Sequence, residues 1–405
     1  MGPVSTTIAG RAATPPRAVH AGRVARIDPA LPRVLTIVLT LRLVLGVDAW
    51  LVTALRPGSD AAVSWDGLQL TGGGLTGALI APWQRDDALW FQRVAERGYG
   101  HDARAAFLPV YPATEHVTAW LVGGGAILAG LLVSTVAAVV ALTLLHRLVR
   151  TRLDTATADR CVLYLALLPT GFFLLAPYSE ALFLAFAVGS VLAASRGRFA
   201  AAGVVAALAA ATRPQGVLLV VPIAIEVCAD MRNRRAAGQR PLRLGYAALL
   251  LPVAALGALE LWLRGSLGFA AGSLTVEHAF WGNHEAAPWT VLGDSLRAIA
   301  SGGHPEELLN LLALLAAVSS LPFMARRLPP AWTALAVVWV MPLLLRENQY
   351  SPLMSASRFL LVTFPLAVLL ARAGASPRVH RLVTTLSPAL LVLLFANFVR
   401  FHLVG

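Results

Sequence analysis

The chain has 405 residues, of which 57% are hydrophobic and only 13% charged, with a mean hydropathy of +0.70. Soluble domains carry about 25% charged residues, so a water-soluble globule is excluded and an all-α polytopic membrane protein is expected. The formal net charge is +12 and every basic residue is Arg, but these arginines are scattered between apolar segments, which argues against nucleic-acid binding.

Residues 1–33 are rich in Pro, Ala and Arg and lack an apolar core, the composition of a disordered cytoplasmic tail with no cleavable signal peptide. Residues 34–405 read as one transmembrane domain. Apolar segments predict eleven spans, at about 34–55, 124–147, 161–177, 179–195, 198–212, 215–229, 243–264, 307–325, 330–346, 358–371 and 382–402. Most of the 33 basic residues fall in alternate connections: the tail, 147–160, 196–198, 230–243, Arg326 and Arg327, and 372–381. The positive-inside rule then places those connections in the cytoplasm. The count works only if 107–122 does not cross; Pro109, Pro112, Glu115 and His116 make it an interfacial or re-entrant helix. The outer side then carries two long loops, 56–123 and 265–306, and the connections 177–180, 212–216 and 346–357. Cys161 and Cys228 have no metal-ligand spacing and read as small buried apolar residues.

The unusual polar residues cluster in those outer connections. In the first loop, Asp86 and Asp87 precede an aromatic helical turn with Trp90 and Phe91, followed by Tyr99, Phe107 and Tyr111. A carboxylate at a desolvating surface suits a general base; equally, Asp86 is a helix N-cap and Asp87 a dipole partner. Pro177-Tyr178-Ser179-Glu180 is a tight turn in which Ser179 can cap a helix. Arg213, in Thr212-Arg213-Pro214-Gln215-Gly216, and Arg358, in Ser355-Ala356-Ser357-Arg358-Phe359, sit at outer span ends against the sidedness rule. Such arginines either snorkel or bind a lipid-linked phosphate through their planar fork. The second long loop holds Glu277, His278, Trp281, His284, Glu285, Trp289 and His304. Their spacing fits no compact metal motif, and Trp281 and Trp289 either stack on a sugar or rest at the interface.

These segments appear in a recognisable order: the acidic pair and aromatic helix ending Ala95-Glu96-Arg97-Gly98-Tyr99; Ala106-Phe107-Leu108-Pro109-Val110-Tyr111-Pro112; Pro177-Tyr178-Ser179-Glu180-Ala181-Leu182-Phe183; Thr212 to Gly216; and Ser355 to Phe359 followed by Phe364-Pro365. From about residue 34 to the C-terminus the chain resembles the PIG-V mannosyltransferases, in their bacterial branch, within the GT-C superfamily of membrane glycosyltransferases. The family pattern has Trp-Asp-Ala before the aromatic helix. Asp87-Ala88 matches it, while Asp86 stands where the Trp is expected, with Trp83 three residues upstream. A second Trp65-Asp66-Gly67 lacks the aromatic helix. The resemblance therefore carries the catalytic role to Asp87, with Asp86 second and Asp66 third.

It implies a GT-C bundle in the plasma membrane with an extracytoplasmic active site. There, mannose passes with inversion from a polyprenyl-phosphate donor to a hydroxyl of a lipid or glycan acceptor, with no cofactor or metal. Arg213, Arg358, Tyr178 and Glu180 are then expected at the donor phosphate, and Trp90, Tyr111, His278 and Trp281 at the acceptor and sugar. Two rival readings are a transporter or flippase, which would place its charges near the midplane, and an accessory subunit that kept the fold without the activity.

Overall fold

The computed structural model of the chain describes residues 28–55, 74–268, 272–302 and 305–400. The tail up to residue 27, Asp66 and His304 lie outside these residues. In chain order the helices are α1 (Ala30–Leu55), α2 (Gly74–Ile80), α3 (Asp87–Arg97), α4 (Val110–Val122), α5 (Ala126–Arg152), α6 (Thr155–Leu167), α7 (Glu180–Ser195), α8 (Phe199–Ala210), α9 (Val220–Ala236), α10 (Leu251–Leu267) and α11 (Ser273–Trp281). A short strand β1 (Asn283–Glu285) follows, then α12 (Pro288–Ser301), α13 (Pro305–Arg327), α14 (Pro330–Leu344), β2 (Arg346–Asn348), α15 (Ala356–Leu361), α16 (Phe364–Ala373) and α17 (Pro377–Val399). The protein is thus an all-α bundle, with one antiparallel two-stranded sheet that pairs Glu285 with Arg346 and Asn283 with Asn348.

Among the described residues, six helical segments are long and apolar enough to cross a bilayer, and four shorter apolar helices, α7, α8, α14 and α16, fill other places in the predicted order. Many of their large apolar side chains face outward, among them Leu39, Leu43, Leu132, Val136, Leu261 and Leu393. That surface suits lipid, where only the backbone must be satisfied internally. The interior is built on small residues. Ala137, Ala138 and Ala141 of α5, Ala181 and Ala187 of α7, and Ala202 and Ala206 of α8 are all buried, and small residues let membrane helices approach closely.

Two predicted segments differ. The third span, 161–177, is helical only to Leu167. Leu168 precedes Pro169 and is pushed to extended geometry (φ −52°, ψ 148°), after which the chain turns through a 3-10 segment at Gly171–Leu174. The other is Cys228, which is exposed on α9 whereas Cys161 is buried; a helix in lipid has no reason to bury a small apolar residue. Segment 107–122 forms α4, which folds back on the start of α5 with Tyr111 beside Ser134.

The arginine-rich ends meet at one end of the bundle. Arg33 pairs with Asp159, Arg147 with Asp28, Arg152 with Glu226 (3.0 Å) and Arg243 with Asp230 (3.4 Å). The connections expected to face outward gather at the opposite end. There α11 packs on the 3-10 turn Ala103–Ala106, and the β1–β2 pair ties the second long loop to the segment after α14.

Candidate active site

The first loop reaches the site through a buried turn. Trp83 packs on Phe395 of α17 with ring centroids 4.7 Å apart. Arg85 donates from Nε to the Val399 carbonyl at 2.7 Å, and Tyr178 donates its hydroxyl to the Arg85 carbonyl at 3.0 Å. Held from both sides, Asp86 adopts φ 45°, ψ −118°, a left-handed backbone that a side-chain-bearing residue holds at a cost of roughly 1–3 kcal/mol. It occupies the N-cap position of α3, yet its carboxylate caps no backbone N–H and lines a cavity instead. The capping alternative thus holds for its backbone alone. Burial, reinforced by the charge of Asp87, raises the Asp86 carboxyl to about 6.

Asp87 begins α3 and accepts a hydrogen bond at Oδ2 from Nη1 of Arg358, 2.6 Å away. Nε of Arg358 lies 3.4 Å from Oε1 of Glu180. The same Oε1 accepts from Nη1 of Arg213 at 2.6 Å, and Arg213 also donates to the Ser179 hydroxyl at 3.3 Å. Asp87, Arg358, Glu180 and Arg213 therefore form one chain of alternating charge. Glu180 is 1% exposed, and the side chains of Arg213 and Arg358 are each 10% exposed. Removing one partner of such a buried pair costs about 3–5 kcal/mol, against about 0–1 kcal/mol for a solvated pair.

Local sequence explains how each arginine arrives. Arg213 precedes Pro214, which forces it to extended geometry (φ −148°, ψ 139°) and turns the chain back. Gly216 closes that turn so tightly that a Cβ there would sit 2.4 Å from the Ala209 carbonyl carbon. Arg358 lies on the one-and-a-half-turn helix α15, whose N-cap Ser355 has a left-handed φ of 64°. The loop before it is clamped to α13. Buried Glu307 accepts from the Leu353 amide (3.0 Å) and the Ser351 hydroxyl, and Asn310 accepts from the Ser357 amide (3.0 Å).

The charged chain borders a cavity of about 1740 Å³. Its opposite wall is aromatic: Trp90 stacks on Phe107 with centroids 5.9 Å apart, and Trp281 meets both rings edge-on at 5.7 Å. His278 lines the cavity from α11, its Nδ1 3.0 Å from the Asn283 carbonyl oxygen. Trp90, Trp281, His278, Asp86, Asp87, Arg213, Arg358 and Tyr178 are thereby brought together.

Two expected site residues are placed elsewhere. Tyr111 is fully buried under Phe91 (centroids 4.7 Å apart) and shares a 2.8 Å hydrogen bond with Ser134; it does not line the cavity. The helical phase of α4 turns it toward α5, where a hydroxyl partner waits. Glu180 lies behind the arginines, off the cavity surface; it orients the cations, and its negative charge is unsuited to meeting a phosphate. Trp289 is 77% exposed and stays outside.

Sequence reading missed Arg346. It lines the cavity, and its guanidinium carbon lies 5.5 Å from the centroid of the Phe359 ring, which Arg213 and Arg358 flank at 5.1 and 5.3 Å. Such distances are those of cation–π contacts. The sidedness argument that singled out Arg213 and Arg358 applies to it equally, because it too follows the end of a helix, α14, in a connection expected to face outward. Asn348 also went unnoticed: its Nδ2 donates to the Trp281 carbonyl (2.6 Å) and to Oδ1 of Asn283 (2.8 Å), joining the aromatic wall to the arginine strand.

A family model described as Mannosyltransferase (PIG-V) matches residues 33–249. The chain belongs to the PIG-V mannosyltransferase family. Asp86, Asp87, Tyr178, Glu180 and Arg213 fall within the matched stretch, while His278, Trp281, Arg346 and Arg358 lie beyond it. No curated protein matches the chain by sequence. Among solved structures, ArnT from Cupriavidus metallidurans, bound to undecaprenyl phosphate, shares the fold with a TM-score of 0.51 at 16% identity, over 87% of this chain and 62% of that one. The Archaeoglobus fulgidus oligosaccharyltransferase tethered to an acceptor peptide aligns with a TM-score of 0.45 at 11% identity, over 91% of this chain and 55% of that one. The family and the ArnT likeness make this a GT-C membrane fold, and the chain spans less than two thirds of the length of either structure.

Proposed function

We propose that the protein transfers mannose, with inversion, from a polyprenyl-phosphate donor to a hydroxyl of a lipid or glycan acceptor on the extracytoplasmic face of the plasma membrane. The observation that carries this reading is the Asp87–Arg358–Glu180–Arg213 chain on the wall of an aromatic-lined cavity. Asp87 receives the acceptor proton as the hydroxyl oxygen attacks the anomeric carbon. The bond from that carbon to the phosphate oxygen breaks, and the lipid phosphate leaves with an added negative charge. Arg213 and Arg358 place fixed positive charge where that charge develops, in a site shielded from water. Trp90, Trp281 and His278 offer stacking faces and a polar edge for a sugar. The segregation of the arginine-rich and site ends of the bundle supports the outward orientation.

A transporter reading is weaker. Of the charges within the expected spans, Arg42 donates to the Leu131 and Leu175 carbonyls (3.2 and 2.8 Å), Glu226 pairs with Arg152, Glu260 accepts from the Ser273 amide (2.9 Å), and Asp48 alone has a buried oxygen, Oδ2, without a hydrogen-bond partner. Three of the four are tethers at helix contacts and ends, and among the described residues these four do not bond to one another as a relay would. The test is transfer of label from polyprenyl-phosphate mannose in membranes containing the protein. Label accumulating in a glycolipid or glycan supports the reading; movement of intact donor across the bilayer without cleavage overturns it in favour of a flippase.

A further inference from the structure

Three guanidinium groups surround Phe359, but they are not held alike. Arg213 and Arg358 are tied to Glu180 and Asp87, with side chains 10% exposed. Pulling Arg213 away leaves Glu180 without its hydrogen-bond donor, and Glu180 is buried with its Oε2 already lacking a partner; pulling Arg358 away takes from Asp87, 21% exposed, the one ion pair it makes among the described residues. Arg346 is different. Its side chain is 38% exposed, and its one carboxylate contact is Nη2 to Oε2 of Glu277, at a long 3.4 Å. Glu277 is itself 33% exposed and also accepts from Nδ2 of Asn283 at 2.5 Å. Glu277 therefore keeps a partner if Arg346 departs. No other hydrogen bond engages the Arg346 guanidinium among the described residues, and the residue lines the cavity.

The strand β2 fixes the backbone of Arg346 against Glu285, leaving only the side chain to move. Next to it in sequence, Pro342 and Leu345 line the same cavity, as do Val217 and Leu218 beside the Arg213 turn. An exchangeable cation bordered by apolar side chains suits an amphiphile whose phosphate is joined to a hydrocarbon chain.

Resting on the proposed polyprenyl-phosphate chemistry, we infer that Arg346 is the arginine that leaves its carboxylate, Glu277, to take the donor phosphate, while Arg213 and Arg358 remain locked on theirs. The physical basis is the difference in what each departure strands: a Glu277 that is a third exposed and still bonded to Asn283 in one case, a buried Glu180 or an Asp87 without its ion pair in the others. Arg346 is then a binding residue whose fork can meet two phosphate oxygens at once, and Glu277 is the competitor that occupies it when no donor is bound.

The experiment measures binding of a polyprenyl monophosphate, and of the phosphate-free polyprenol, to the full-length protein in nanodiscs, with the unfolding midpoint of each variant. Arg346→Gln should weaken monophosphate binding roughly 10–100-fold, leaving polyprenol binding and the midpoint unchanged. Arg346→Lys should recover part of the loss, as a point charge without the fork. Glu277→Gln should tighten monophosphate binding, and the gain should vanish in the Glu277→Gln, Arg346→Gln double variant. Wild-type preference for the monophosphate in Arg346→Gln overturns the inference. So does a parallel loss of polyprenol binding and of the midpoint, which marks Arg346 as scaffold. If the wild-type protein itself does not prefer the monophosphate, the proposed donor falls, a result separable from any behaviour of the variants.

Discussion

The two ends of the bundle use the same residue types to opposite effect. At the arginine-rich end, pairs such as Arg33–Asp159, Arg152–Glu226 and Arg243–Asp230 have arginine side chains 53%, 32% and 44% exposed. At the site end, two arginines share one nearly inaccessible glutamate and reach back to Asp87. Charge that faces water orients a chain in a membrane and contributes little else. Charge that converges in a buried cluster is costly to assemble and pays off only if something there needs it. On the proposed reading, the number of arginines marks the end away from the chemistry, and their burial marks the end that performs it.

The sharpest way to break this comparison is at Asp87. Asp87→Asn should lower transfer by roughly 10²–10⁴-fold, the range expected for a lost general base, with the protein still folded. Rates of both single variants decide between the acids: a near-normal Asp87→Asn beside an inactive Asp86→Asn would move the base to Asp86.

Next come the buried cations. Arg213→Ala should destabilise the folded protein by about 3–5 kcal/mol, because it strands Glu180; denaturant unfolding in micelles measures this. Arg358→Ala should cost less, because Glu180 keeps its Arg213 bond and the freed Asp87 is 21% exposed. Unaltered midpoints in both would mean that the charged chain is no more structural than the solvated pairs at the other end.

A smaller, pH-dependent effect belongs to Asp86. Its carboxyl is raised to about 6 in the fold, above its ordinary 3.8, so the folded state resists an ionisation that the unfolded chain makes freely. The stability that the protonated group lends is fully present below about pH 4 and is lost as pH rises through about 6. Asp86→Asn removes the penalty. The variant should match wild type near pH 4 and exceed it by about 2–3 kcal/mol at pH 7. Unfolding curves at the two pH values check this, and a constant offset between the proteins would show that backbone strain, not ionisation, sets the difference.

The smallest change is expected at the arginine-rich end. Arg152→Ala, which removes a 3.0 Å pair with Glu226, should alter stability by no more than about 1 kcal/mol and leave transfer unchanged. A loss as large as that of Arg213→Ala would erase the contrast between the two ends.

Much of the architecture was legible in the chain, because hydropathy and arginine placement are local properties summed over a span. The order of the helices and the gathering at one end of the connections expected to face outward follow from such sums. The candidate site was legible as a set of suspects: Asp87, Arg213, Arg358, Trp90, His278 and Trp281 do border one cavity.

Partnership is what the sequence alone did not determine. Asp87 and Arg358 are 271 positions apart, and Arg213 and Glu180 are 33 apart; no periodicity links such residues. Only packing decided that Glu180 stands behind the arginines, that Tyr111 turns away to Ser134, that Asp86 is strained into the cavity, and that Arg346 is the loosely held cation of three. The physical reason is that a span's insertion depends on what each residue is, whereas the work a charge can do depends on which other charges the finished bundle leaves beside it and how much water it shuts out.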